Sequence, residues 1–251
     1  MIKRLFLALL LLPILCGFNG NMQGGFDGKL GGSRELGAKI AAMPPGLTFY
    51  ADYTDGRNGI NADWSLGDGT GYYSGLSKQP DLKGGYHATT ANKDVLKYKI
   101  DRNRTAAQET IIIKFTLDAS DHALADHFIQ DTDAKQREMK LRSSSGGKIR
   151  IAPNLTDAST INAISTLAPS ANTQYVIGAV FQTASPNVLL YWNDGVDTIS
   201  TTNTWNGVIA WGSFFYVGCR NAGDQQLDAT IASSAFFNRA LSVNEIAMAI
   251  K

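Results

Sequence analysis

The chain has 251 residues, which is enough for one large β domain or two smaller ones. Glycine is frequent at 25 residues, charged residues make up only 18%, and the formal net charge is +1. This composition favours many short strands joined by tight turns over a helical bundle. It also lacks the basic excess that marks a nucleic-acid-binding protein, so we expect no nucleic-acid partner.

Residues 1–20 have the pattern of a secretory signal or an apolar anchor. Lys3 and Arg4 precede an apolar run that ends at Cys16, and small and polar residues follow. The run is shorter than the roughly 20 residues that a membrane-spanning helix needs. Three interpretations stay open, namely cleavage between Cys16 and Gly20, lipidation of Cys16, and retention as an anchor. We expect contact with a membrane only through this segment.

The next region, 21–45, has the composition of a glycine-rich linker. A short helix is predicted over 33–43, ahead of two prolines that stop it. The globular domain is predicted to occupy 46–251. Because Cys16 and Cys219 are the two cysteines of the chain, neither a disulfide framework nor a zinc motif is expected.

Alternating apolar residues then predict about ten to twelve short strands, a number and spacing that favour a two-sheet antiparallel sandwich. The segment 187–201 predicts a hairpin that turns at Asn193-Asp194-Gly195. The segment 67–75 lacks the lysine and the helix of a phosphate-binding loop and is interpreted as a turn. The residues predicted to share one face in each of four strands are Leu96, Tyr98 and Ile100; Ile111, Ile113, Phe115 and Leu117; Tyr175, Ile177, Ala179 and Phe181; and Leu227, Ala229, Ile231, Ser233, Ala235 and Phe237.

The chain closes on a predicted turn and one short helix. Asn238 and Arg239 form the turn, and Ser242 and Glu245 have the spacing of a capping box, in which each residue bonds the backbone of the other. The apolar stripe of the helix comprises Val243, Ile246, Ala247 and Ile250. Because a helix of about two turns is unstable alone in water, we expect it to dock on the edge of the sandwich.

This ending resembles the laminin-G-like branch of the concanavalin A-like lectin/glucanase superfamily. The residues that carry the resemblance are Phe237-Asn238-Arg239-Ala240-Leu241-Ser242 and Glu245-Ile246, supported by the hairpin over 175–195 and by Gly218 ahead of the last strand. The resemblance covers 46–251 and implies an all-β, two-sheet antiparallel jelly-roll sandwich with a short C-terminal helix. Two departures are clear, since the acidic pair of the last strand and the carboxylate run of the catalytic members are both missing.

Aromatic residues beside asparagines are the candidate ligand-binding residues. Sugar rings stack on exposed aromatic side chains, and neighbouring amides supply the hydrogen bonds that the sugar hydroxyls require. The predicted binding residues are Asn203, Trp205, Asn206, Trp211 and Tyr72. The alternative is that these aromatics belong to the core of the sandwich.

A second candidate site is a loop that contains Asp52, Asp55 and Asp63. Oxygen ligands at this short spacing can hold calcium, which is the candidate cofactor. The alternative is a turn whose side chains bond their own backbone. His87, His122 and His127 could supply a base or metal ligands, and the alternative for His122 and His127 is a surface loop.

These patterns predict a non-catalytic recognition or adhesion domain that binds a carbohydrate or a surface polysaccharide. Its expected location is secreted, on the cell surface or on a virion. One alternative is a decoration or appendage protein of a phage or cell surface, with other virion or envelope proteins as partners. A second alternative is a glycan hydrolase or lyase, which would need carboxylates that converge in a cleft.

Overall fold

The computed structural model divides into two compact units, Met1–Lys39 and Ile40–Lys251. The predicted leader and most of the predicted linker lie outside the described residues. The ranges that the structure describes are 37–54, 58–66, 69–99, 105–106, 108–118, 127–131, 137–142, 147–153, 163–166, 168–182, 188–192, 195–199, 209–210, 214–219 and 226–249.

The described residues form seventeen strands and two short helices. Within these ranges no helix combines the length and the apolar character that a membrane span needs. In chain order the elements are α1 (37–42), β1 (Leu47–Asp52), β2 (Trp64–Ser65), β3 (Gly71–Ser74), β4 (Tyr86–Ala88), β5 (Val95–Lys99), β6 (Thr105–Ala106), β7 (Glu109–Leu117), β8 (His127–Asp131), β9 (Arg137–Arg142), β10 (Lys148–Pro153), β11 (Ala163–Ile164), β12 (Gln174–Phe181), β13 (Val188–Trp192), β14 (Gly195–Ile199), β15 (Ile209–Ala210), β16 (Phe214–Val217), β17 (Ala229–Phe237) and α2 (Val243–Ala249).

Two antiparallel sheets form the sandwich, and the predicted fold class is confirmed. Sheet A has the order β14-β13-β12-β7-β17-β1-β2, with β4 also paired to β17. Sheet B has the order β11-β10-β9-β8-β16-β5-β3, and β15 pairs separately with β6. Strands β13 and β14 form the predicted hairpin, but Gly195, which was predicted in the turn, begins β14 and stands opposite Trp192.

The core lies between the two sheets, and an aromatic cluster joins them. The ring of Phe49 on β1 lies 4.8 Å from the rings of Tyr98 and Phe215 in sheet B, centroid to centroid, and 5.3 Å from the ring of Phe236 in sheet A. The predicted inward face of β7 is confirmed, since its four apolar residues at odd positions all belong to the core. The alternation of β5 is confirmed at Tyr98 and its neighbour Leu96 in the same way.

The last strand departs from the predicted pattern. The register of β17 against β7 shifts between Ile231 and Ser233, which marks a β-bulge. Ile231 faces the core as predicted, but beyond the bulge the core residue is Phe236, while Ala235 and Phe237 are buried outside the core cluster. One extra residue reverses the alternation of a strand, so the prediction of a single continuous face was wrong beyond the bulge.

The segment interpreted as a glycine-rich turn contains a strand. Gly71–Ser74 forms β3, which pairs with β5 at the edge of sheet B. A Cβ atom at Gly71 would clash with the carbonyl oxygen of Ile60, so glycine allows the close approach of the two backbones. The prediction failed because glycine here serves packing and not a turn.

The C-terminal helix docks on the outer face of sheet A. The prediction that it docks on the edge of the sandwich was therefore wrong. Ile246 of α2 is 1% exposed and lies over Gly178 of β12. A Cβ atom added at Gly178 would stand 3.1 Å from the Cδ1 atom of Ile246. The hydroxyl of Thr110 on β7 donates to the Arg239 carbonyl at 2.8 Å and accepts from the Leu241 amide at 3.0 Å. An apolar contact and a hydroxyl bridge thus fix the helix.

The predicted capping box is confirmed. The Ser242 amide donates to Glu245 Oε2 at 2.9 Å, and the Glu245 amide donates to Ser242 Oγ at 3.4 Å. A further contact was not predicted: the Arg239 guanidinium donates to Glu245 Oε1 at 2.5 Å. That hydrogen bond, with those from Ser242, lowers the pKa of Glu245 to about 2.

Candidate functional site

The outer face of sheet B, the side turned away from the core, carries aromatic and basic residues. Because successive residues of a strand alternate between faces, the core position of Leu96 and Tyr98 turns Lys97 of β5 outward. The same rule turns Tyr72 of β3 outward, and it is 42% exposed. Tyr72 is the predicted binding residue that lies within the described part of the chain.

Three strands bring this aromatic group together. In the register Tyr72 stands opposite Lys97, and Lys97 stands opposite Tyr216 of β16. The Phe214 ring meets the Tyr72 ring edge to face, with centroids 6.2 Å apart and planes at 87°. The Lys97 Nζ lies 4.8 Å from the Phe214 centroid, which is the geometry of a cation–π contact.

This arrangement suits the recognition of a sugar. The exposed tyrosine offers a flat apolar surface and a hydroxyl, and the ammonium group of Lys97 offers three hydrogen-bond donors beside it. Tyr216 in the same row is buried, and desolvation raises the pKa of its hydroxyl, followed by the influence of Cys219. Tyr216 is therefore a buried member of this row, and Tyr72 provides the exposed surface.

The carboxylates of the predicted calcium loop bond their own chain. Asp52 Oδ1 accepts from the Thr54 amide at 3.0 Å and from its hydroxyl at 2.6 Å. Asp63 accepts from the Asp52 amide and from Asn58 Nδ2, each at 2.6 Å. Asp55 lies outside the described residues. Within the described residues, no three or more His, Cys, Asp and Glu side chains form a cluster that could hold a metal ion. The calcium site stays a prediction.

His87 belongs to a separate polar group at one end of sheet A. Its Nε2 lies 2.5 Å from Asp118 Oδ2, and its Nδ1 lies 3.7 Å from Asp81 Oδ2. Burial disfavours the charged ring, but the hydrogen bond and charge of Asp118, with those of Asp81, outweigh burial and raise the pKa of His87. The pair joins β4 to the end of β7, so its evident role is to hold these two strands together.

The other predicted binding residues, Asn203, Trp205, Asn206 and Trp211, lie outside the described residues and stay predictions. Sequence reasoning missed Lys97 and Phe214 as partners of Tyr72. The alternation of β5 contained a usable signal, because it places Lys97 on the polar side of that strand. The sequence contained no signal that β16 would lie beside it.

A sequence model of the concanavalin A-like lectin/glucanases superfamily matches residues 101–247, which is more than half of the chain. The chain therefore belongs to this superfamily, as the C-terminal motif indicated. No curated protein sequence matches it.

Several solved structures share the fold at low sequence identity. Domain 4 of AbnA, an extracellular arabinanase from Geobacillus stearothermophilus solved with arabinotriose, has a TM-score of 0.60 and 11% identity over 82% of this chain and 98% of that domain. A botulinum neurotoxin type C structure has a TM-score of 0.63 and 9% identity over 83% of this chain and 51% of the toxin chain. A mutant Trypanosoma rangeli sialidase has a TM-score of 0.57 and 14% identity, and the match spans 85% of this chain and 36% of the enzyme.

Proposed function

We propose that this chain is a non-catalytic glycan-binding domain and that the outer face of sheet B is its binding site. The observation that carries the proposal is the exposed Tyr72 ring, which is set edge to face against Phe214 and paired with Lys97. A sugar that stacks on Tyr72 would bring its hydroxyl groups within reach of the lysine. Membership of a lectin-like superfamily supports this function.

The named ligands of two structural relatives add support. Domain 4 of the arabinanase was solved in complex with arabinotriose, and cell entry of botulinum neurotoxin type C depends on interaction with two ganglioside molecules. Both relatives share the jelly-roll scaffold with this chain at low identity. A scaffold does not fix a function by itself, so the aromatic group of sheet B remains the main argument.

Binding without catalysis is the activity that this face supports best. Glycoside hydrolysis needs two carboxyl groups on either side of the scissile bond. Among the residues of this face whose side chains are described, none is a carboxylate; they are Tyr72, Ser74, Val95, Lys97, Lys99, Lys148, Arg150, Ile164, Phe214 and Tyr216. Adhesion to a surface polysaccharide outside the cell, on a cell or a virion, agrees with the signal-like leader.

A glycan array with the full chain tests the proposal, first with calcium and then with a chelator. We expect Tyr72→Ala to weaken binding by about tenfold, or about 1.4 kcal/mol. Met248→Ala is the matched control, because Met248 is 49% exposed and lies on α2, on the opposite side of the sandwich. Binding that survives Tyr72→Ala but disappears in Trp205→Ala would move the site to the predicted loop, and an array without binding would contradict the function.

A further inference from the structure

Positive charge is concentrated on the outer face of sheet B. Ile149 and Ile151 of β10 belong to the core. Because side chains alternate along a strand, Lys148 and Arg150 face outward. Lys99 faces outward on β5 in the same way as Lys97. Four cations therefore lie on one face of a chain whose formal net charge is +1.

Within the described part of the chain no carboxylate forms an ion pair with Lys97, Lys99 or Lys148. Lys99 is exposed, and Lys97 and Lys148 are half-buried. Lysines that form no ion pair within the described residues produce a positive local field that attracts an anionic partner.

The register of the strands between β5 and β10 contains further charged positions. Lys140 stands opposite Arg150 and Arg142 opposite Lys148, while Glu138 stands opposite Gln130, the residue opposite Tyr216. From β5 to β10 the order of sheet B gives four strand intervals, which at about 4.8 Å each correspond to roughly 19 Å. Such a span suits a polymer with repeated charges better than a single small anion.

We propose that the ligand of this face is an acidic polysaccharide whose carboxylate or sulfate groups pair with Lys97, Lys99 and Lys148 while one sugar ring stacks on Tyr72. This inference rests on the proposed glycan-binding function and specifies its ligand class. A nucleic acid would meet the same charges, but the near-neutral chain lacks the overall basic excess of a nucleic-acid-binding protein. The acidic polysaccharide therefore fits the aromatic surface and the local charge together.

The test compares polymers that differ only in charge. Isothermal titration of the full chain measures affinity for polygalacturonate and for its carboxyl-reduced form, and for dextran sulfate and for dextran. We expect each acidic polymer to bind about tenfold or more tightly than its neutral counterpart, because its anionic groups can form ion pairs with the three lysines. Raising the salt concentration from roughly 0.05 to 0.5 M should remove most of this difference by screening.

Charge-removing variants locate the effect. Replacing two lysines together, Lys99→Gln and Lys148→Gln, should reduce affinity for the acidic polymer by about fivefold and leave affinity for the neutral polymer unchanged. Lys114→Gln is the matched control, because Lys114 is a half-buried strand lysine on the outer face of sheet A. If the double variant fails to fold, Lys99→Gln alone gives the same comparison at an exposed position.

The outcomes separate the two proposals. Tyr72-dependent binding of equal strength to acidic and neutral polymers would overturn the acidic-ligand inference and leave the glycan-binding function in place. Absence of binding to every polymer and to the array would overturn the function itself. Tighter binding to single-stranded DNA than to either acidic polymer would overturn the polysaccharide assignment.

Discussion

The outer face of sheet A is covered by the end of the same chain, whereas the outer face of sheet B keeps a tyrosine and several lysines at the surface. On sheet A, Ile246 packs on Gly178 and is 1% exposed. On sheet B, Tyr72 is 42% exposed. The first face contributes to stability, and the second is available to a partner.

The strands themselves explain this difference. β7 is apolar at both inward and outward positions near its centre, as Ile111, Ile112 and Ile113 show, and all three are buried. β5 is apolar inward at Leu96 but places Lys97 outward. A strand that is apolar on both sides must be covered on both sides, and a strand with one polar side needs no cover. The outward positions therefore decide which face the helix closes.

The largest expected effect belongs to the covered face. Ile246→Ala should lower the free energy of unfolding by about 2–5 kcal/mol, because it removes a buried side chain and leaves a cavity over Gly178. Urea denaturation monitored by fluorescence measures the loss. Met248→Ala on the same helix should change stability by less than about 0.5 kcal/mol, and equal losses in both variants would contradict the docking.

The second prediction concerns the pH dependence of the helix cap. Because the Arg239 guanidinium and Ser242 lower the pKa of Glu245 from 4.5 to about 2, its carboxylate stabilises the fold above pH 4.5, and this contribution is lost as the pH falls toward 2. Glu245→Gln should therefore reduce stability by about 1 kcal/mol at neutral pH, since the pair is partly solvated. Denaturation at several pH values measures the difference, which should vanish near pH 2; a difference independent of pH would refute this account.

A smaller effect is expected where His87 joins β4 to the end of β7. The pKa of His87 is raised, so the contact with Asp118 contributes fully below the ordinary histidine pKa of 6.5 and is lost as the pH rises through the folded-state pKa. As the pH rises from 6.5 through the raised pKa of His87, the free energy of unfolding of the native chain should fall by less than about 1 kcal/mol relative to that of His87→Gln. An NMR titration of the ring gives the pKa directly, and Asp118→Asn should lower it; an unchanged pKa would exclude the pairing.

The smallest effect on stability should come from the open face. Tyr72→Ala should change the free energy of unfolding by less than about 0.5 kcal/mol, because the side chain is exposed. Tyr98→Ala, at a core position of the neighbouring strand β5, should cost about 3–5 kcal/mol. Thermal and urea denaturation of the two variants compare the faces of sheet B, and similar losses would show that Tyr72 is part of the core.

Much of the fold could be predicted from local pattern. The alternation of β5, β7 and β12, the hairpin of β13 and β14, and the capping box at Ser242 and Glu245 depend on residues close together in the chain. Local signals failed at the bulge of β17 and at the glycine of β3, where a distant backbone sets the conformation. Of the residues that meet on the outer face of sheet B, Tyr72 was among the predicted binding residues, whereas Lys97 and Phe214 were not.

The sequence by itself determined the all-β class, the inward faces of the main strands and the closing helix, because these follow from residue spacing within single segments. The superfamily was indicated by the resemblance of the C-terminal motif to that family. Only the tertiary structure decided which residues meet on the outer face of sheet B. Tyr72, Lys97 and Tyr216 are far apart in the chain and become neighbours through the register of β3, β5 and β16. A two-residue period fixes the face of a strand to which a side chain points, but it carries no information about which strand lies next to it.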